Sequence, residues 1–159
     1  MEVLQIEKLV EKYSNMVLQI AFQNVFNNSD AEDITQEVFI KLMNNLQKLE
    51  NEEHAKAWLI RVTINLSKDY NKSFWRKNTT EIDENIKYFD TNDDFQIMNE
   101  ISKLKPVYRN IIYLYYYQGY KINEISAILD MKENTVSTNL ARARKSLKDI
   151  LEKDGDLYA

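Results

Sequence analysis

Residues Tyr120–Lys148, YKINEISAILDMKENTVSTNLARARKSLK, admit few folds. Ile122, Ile125, Ile128 and Leu129 recur at the three-and-four spacing of one helical face, and so do Val136, Leu140, Ala143, Leu147 and Leu151. Asp130-Met131-Lys132 interrupts the apolar rows, so one helix stops and a second starts at a new angle. Two short helices sharing a small core across a tight turn form the pattern of a helix-turn-helix. At about 100° per residue, Asn134, Thr138, Ala141, Arg142 and Lys145 fall opposite the second apolar row, with Ser137 and Arg144 on its flanks. Short polar groups precede longer cations, an order that suits base edges in a groove and then phosphates at its rim. Periodicity alone fits an ordinary helical hairpin with a solvated face equally well.

Composition narrows the chemistry. A chain of 159 residues holds one domain or two small ones, and 44% hydrophobic content is in the globular range. No apolar run reaches the length of a membrane span, and Met1 is followed by Glu2, Glu7 and Glu11 rather than the basic start of a signal peptide. A soluble cytoplasmic protein without membrane insertion is expected. There is no cysteine, His54 is the one histidine, and Gly119 and Gly155 are the two glycines. Thiolate metal sites, serine-histidine triads and phosphate-cradling glycine loops therefore lack their material. No cofactor, metal or covalent chemistry is expected, and His54 reads as a surface residue ahead of a helix.

The net charge of −4 is unevenly spread: residues 1–53 carry −6, 54–77 carry +5, 78–100 carry −6 and 101–159 carry +3. Alternating acidic and basic segments suit cationic and anionic partners met by different parts of one chain.

From the start, Ile6, Leu9, Val10, Tyr13, Met16, Val17, Ile20, Ala21 and Val25 make one helical row, stopped by Asn27-Asn28-Ser29-Asp30. A helix over 30–46 follows, with Ala31, Ile34, Val38 and Leu42 inside. Its outer face carries Asp33, Gln36, Glu37 and Ile40, with Phe39 and Met43 beside them, which points to a partner surface or to burial under a further helix. After a polar break over 49–56, the spacing predicts a helix over 55–77 with Ala55, Trp58, Leu59, Val62, Leu66 and Tyr70 inward. Arg61, Asn65, Lys68, Lys72 and Arg76 run along another face. Such a stripe can follow a phosphate backbone, with Trp58, Tyr70, Phe74 and Trp75 near enough to stack on unpaired bases. The plainer reading keeps Trp58 and Tyr70 in the core and uses the cations for solubility.

Residues 78–94 are polar, acidic and aperiodic, as a flexible linker would be. Apolar spacing returns at Phe95, Ile97, Met98, Ile101 and Leu104, and Pro106 opens a helix through Val107, Ile111 and Tyr115 that stops at Gly119. Tyr113, Tyr115, Tyr116, Tyr117 and Tyr120 read as core and interhelical filler, and residues 154–159 as a fraying end. The expected architecture is all-α: two small helical domains, 1–77 and 95–159, on a tether.

Three runs now carry a family likeness. DAEDITQEVF at 30–39, WLIRVTIN at 58–65, and Thr135-Val136 followed by LARAR at 140–144 resemble the signatures of bacterial extracytoplasmic-function sigma factors, which keep only the promoter-melting region 2 and the helix-turn-helix region 4. The resemblance implies that Asp33, Gln36, Glu37, Phe39 and Met43 dock on the RNA polymerase core. It implies that the 49–56 loop and the stripe of Arg61, Asn65, Lys68, Lys72 and Arg76 read and open the minus-ten element, where flipping a base costs a few kcal/mol of stacking. Asn134, Ser137, Thr138, Ala141, Arg142 and Lys145 would meet the minus-thirty-five element. An anti-sigma factor is a further implied partner, and the free protein is expected to be a monomer. Two departures stand out: Ser137, Thr138 and Asn139 stand where the family often has a small polar residue with a cation on each side, and Lys121 stands where a capping serine is common. The residues by themselves also fit a stand-alone helix-turn-helix regulator, or a polymerase-binding mimic that reads no promoter.

Overall fold

The computed structural model describes the backbone of residues 3–75 and 100–158, with side chains of 5–70 and 100–153. The chain divides into two compact units, Met1–Tyr88 and Phe89–Ala159. Every element among the described residues is helical. The tether read at 78–94, the apolar residues Phe95, Ile97 and Met98, Arg76, and the side chains of Lys72, Phe74 and Trp75 lie outside the described residues.

In the first unit α1 (Val3–Val25), α2 (Asn28–Asn45) and α3 (Glu52–Trp75) pack pairwise against one another, and a short 3-10 turn, Leu46–Lys48, follows α2. Val17, Ile20, Ala21 and Phe22 of α1 meet Ala31, Ile34, Val38 and Leu42 of α2 in a core from which water is excluded. Burying a side chain of this size stabilises by roughly 1.5–3 kcal/mol. The α1–α2 corner is made by Phe26 at φ 50, a left-handed conformation that costs a non-glycine residue about 1–2 kcal/mol. Burial of its ring, edge-to-face on Phe22 at 5.6 Å, offsets that cost. Asn27 then caps α2, its side chain accepting the Asp30 N–H at 2.9 Å.

Helix α3 departs from expectation in two ways. It begins at Glu52 rather than near 55, because the Asn51 side chain accepts the His54 N–H at 2.8 Å and starts the helix inside the polar stretch. The open loop shrinks to residues 49–51, and Leu49 within it is buried. The buried arc also differs: Ala55, Leu59, Ile60, Thr63, Ile64 and Ser67 are inside, while Trp58, Val62, Leu66 and Tyr70 are half-buried. At about 100° per residue that is a rotation of roughly a quarter turn. Thr63 and Ser67 can sit inside because each hydroxyl donates to its own helix, to Leu59 O at 2.6 Å and to Thr63 O at 2.7 Å.

In the second unit the chain turns after helical residues 100 and 101, and Pro106 opens α4 (Pro106–Ile112) at a position where its missing N–H costs nothing. A π-helical turn, Tyr113–Tyr117, extends α4, and the chain then turns at Gly119, whose φ of 71 suits glycine. Two helices complete the helix-turn-helix, α5 (Ile122–Leu129) and α6 (Glu133–Tyr158). Ile125, Ile128, Val136, Leu140 and Ala143 are buried as expected, whereas Ile122, Leu129 and Leu147 are half-buried and Leu151 is exposed. Lys121 has no acceptor to offer α5, but Glu124 Oε1 accepts the Lys121 N–H at 2.9 Å, which keeps half of a capping box. In the turn Asp130 adopts φ 53, Met131 N–H donates to Ser126 O at 3.0 Å, and the Ser126 hydroxyl donates to Met131 O.

One expectation for this unit is corrected, and α6 itself continues as helix to Tyr158, since Gly155 weakens a helix but stops one only where it turns left-handed. Of the tyrosines read as filler, Tyr113 is buried and Tyr115 and Tyr120 are half-buried, but Tyr116 and Tyr117 are exposed because the π-turn carries them past the core face.

Candidate functional site

Three surfaces are left over once the core is assigned. On α2, Asp33, Gln36 and Met43 are exposed, while Glu37 and Phe39 are half-buried. Ile40 lies in the middle of this face at 58% exposure and Met43 follows at 61%. Sequence reasoning placed Ile40 on the outer face without counting it among the binding residues; its position one turn from both Gln36 and Met43 was the available signal. Large apolar side chains held in water beside acids are the mark of a contact surface. The acids reach beyond their own helix: burial raises the Tyr70 hydroxyl of α3 above its ordinary pKa, and Asp33, Glu37 and Asp30 add to the rise. Burial likewise raises Asp30, with Asp33 contributing.

On α3, Arg61, Asn65 and Lys68 are all exposed. The quarter-turn rotation brings them almost opposite Thr63 and Ser67, so they point further from the core than the sequence implied. Trp58, between this row and the core, is half-buried and leaves part of its ring at the edge of the row. Ahead of α3 an open cleft of about 750 Å³ runs between Gln5, Lys8 and Lys12 of α1 and residues Glu50, Asn51 and Glu52.

On α6, Asn134, Ser137, Thr138, Ala141, Arg142 and Lys145 are exposed together, opposite buried Val136, Leu140 and Ala143. Arg144 is exposed as well, but it is turned toward the π-turn that follows α4, where its Nε donates to the Tyr116 hydroxyl at 2.6 Å. The α2 and α3 rows thus share one unit, and the α6 row belongs to the other. Among the described residues no group of acids, histidine or cysteine could hold a metal ion, and no helix is long and apolar enough to cross a membrane.

Comparison with known proteins places the chain in a family. Residues 9–79 match the model of sigma-70 region 2, and residues 94–147 match that of sigma-70 region 4. RNA polymerase sigma factor SigV of Bacillus subtilis is 29% identical over 141 residues, covering 86% of this chain and 84% of that protein. ECF RNA polymerase sigma factor SigE of Mycolicibacterium smegmatis is 28% identical over 159 residues, covering 92% of this chain and 62% of that longer protein. The chain belongs to the extracytoplasmic-function sigma factors. The fold of this sigma factor is also that of the Bartonella quintana sigma factor RpoE, solved with the anti-sigma factor NepR. The two share a TM-score of 0.79 at 18% identity over 96% of this chain and 99% of the other.

Proposed function

We propose that this sigma factor directs RNA polymerase to promoters by dividing the work among its three exposed surfaces. The outer face of α2, with Asp33, Gln36, Glu37, Phe39 and Met43 joined by Ile40, binds the polymerase core. Arg61, Asn65 and Lys68, continued along the chain by Lys72 and Arg76, hold the minus-ten region. The loop at 49–51 receives the flipped base beside them. Asn134, Ser137, Thr138, Ala141, Arg142 and Lys145 meet the minus-thirty-five element. The observation that carries this reading is the pairing, on one small unit, of an acidic face bearing exposed Ile40 and Met43 with a cationic row on the neighbouring helix. One face suits a protein and the other a phosphate backbone.

Residues 1–77 and 95–159 act as the two working domains, with 78–94 as the tether. The protein works in the cytoplasm, as a monomer when free, and performs no covalent chemistry of its own. An anti-sigma factor is proposed as its inhibitor, by likeness to the fold of RpoE, which was solved with one.

Reconstituted transcription tests the proposal: bacterial core polymerase and a library of promoter fragments, with and without the protein. Protein-dependent transcripts sharing two upstream motifs are expected. Core binding without transcripts would instead make the chain a polymerase-binding mimic. Duplex binding without core binding would make it a stand-alone regulator.

A further inference from the structure

Arg144 stands on α6 beside the row that contains Arg142 and Lys145, yet its guanidinium is committed elsewhere. Besides the bond from Nε to the Tyr116 hydroxyl at 2.6 Å, its charge lies 5.3 Å from the centre of the Tyr115 ring and 5.6 Å from that of Tyr116. The two rings meet edge to face at 5.0 Å and 78°, so they form a corner that takes the flat cation on two sides. The π-turn makes the corner. Its five residues sort their aromatics into two pairs, Tyr113 stacked on Tyr117 at 5.6 Å and 17°, and Tyr115 set against Tyr116. Tyr113 is held further by Gln118, whose Nε2 donates to its hydroxyl at 3.0 Å. Arg144 also lines a mostly apolar groove with Ile112, Leu147 and Leu151.

We propose that Tyr115 and Tyr116 are positioning residues for the promoter-reading helix: by holding Arg144 against the π-turn they fix the rotation of α6 and withhold that cation from DNA. Arg142 and Lys145 then remain as the phosphate-contacting cations of this face. This rests on the assignment of α6 to duplex DNA. The Nε hydrogen bond and the two ring contacts together compete for the guanidinium with a phosphate that salt screens. The planar fork of arginine suits such a corner, and the compact ammonium of lysine does not. Of the three neighbouring cations Arg142, Arg144 and Lys145 on α6, internal use of Arg144 leaves two for the duplex.

The test uses the full chain in three readings. In the free protein, nuclear magnetic resonance should find the Arg144 Nε–H shifted by the rings and slow to exchange, and Tyr116→Ala should abolish both effects; a freely exchanging Nε–H overturns the proposal. Binding to a short mixed-sequence duplex is next measured against salt. Arg142→Ala and Lys145→Ala should each make the slope shallower by about 0.9, the value of one phosphate contact, whereas Arg144→Ala should leave it unchanged. A slope lost equally in Arg144→Ala overturns the proposal while keeping α6 on DNA. A wild-type chain that ignores the duplex removes the assignment of α6 itself. Finally, Arg144→Ala and Tyr116→Ala should each lower reconstituted promoter transcription by about two- to five-fold, the strength of an exposed cation–π contact, and the double variant should be no worse. Additive losses would mean that the two residues act separately and would also overturn it.

Discussion

Lys12 of α1 and Glu52 at the start of α3 meet at 2.6 Å, and Tyr13 donates its hydroxyl to the same carboxylate oxygen from 3.1 Å. The bond from Lys12, then that from Tyr13, holds the Glu52 carboxyl below its ordinary pKa, and the same bond from Glu52 is the main cause that raises Lys12. A lowered carboxyl stabilises the fold above its unfolded pKa and loses that effect as pH falls through the folded one. A raised lysine stabilises below its unfolded pKa and loses the effect as pH rises through the folded one. Glu52→Gln should therefore lower the melting temperature slightly and constantly across neutral pH, with the difference from wild type vanishing in acid. Both partners face water, so salt should shrink the difference. Melts at several pH values and two salt concentrations check this, and a salt-independent loss would contradict it.

Reversing charge on the α2 face, Asp33→Lys with Glu37→Lys, should weaken binding to core polymerase by on the order of a hundredfold, as like charges across an interface do. Circular dichroism should be unchanged, because neither side chain belongs to the buried row of Ala31, Ile34, Val38 and Leu42. A fluorescence titration with core polymerase reads the affinity. Unaltered binding would move the polymerase contact to another face.

Asn65→Ala with Lys68→Ala should slow promoter opening while sparing capture of minus-thirty-five duplex, since both residues lie on α3 and the row proposed to meet the duplex lies on α6. Permanganate reactivity of the opened strand, set beside duplex binding, separates the two steps. Equal losses in both would contradict the division of labour.

Removing the α2 cap, Asn27→Ala, should cost about 1 kcal/mol, and Asn27→Asp should restore most of it by keeping an acceptor for the Asp30 N–H. Urea unfolding at neutral pH measures both. Equal loss in the two variants would place the role of Asn27 outside the cap.

The elements were most legible where one apolar row does one job. Ala31, Ile34, Val38 and Leu42 read as the inner face of α2 and are that face, and Val136, Leu140 and Ala143 do the same for α6. Legibility failed where a residue type misstates its cost. Thr63 and Ser67 look polar, but their hydroxyls are satisfied by their own helix, so the core of α3 could rotate onto them and lift Trp58 and Val62 to its margin. Phe26 gives no warning of a left-handed corner, since its burial offsets a strain that type alone would forbid. A run of tyrosines likewise does not announce a π-turn, and only that turn explains why Tyr113 is buried while Tyr116 reaches Arg144. On α2 Asp33 and Met43 were read as outward and are exposed, Glu37 is half-buried, and Ile40 was placed on the outer face without its weight as the centre of that face being drawn.

Ser126 and Met131 are fastened twice across the turn between α5 and α6, once through the backbone and once through the serine hydroxyl. A joint tied from both sides behaves as an elbow rather than a hinge. Swivelling α6 alone would break both bonds, so α5 and α6 are expected to tilt together against a DNA groove. On the proposed assignment of α6 to duplex DNA, the burden of adjustment would pass to the nucleic acid, and promoters whose sequence bends readily are expected to bind more tightly than stiffer ones with the same bases at the points of contact.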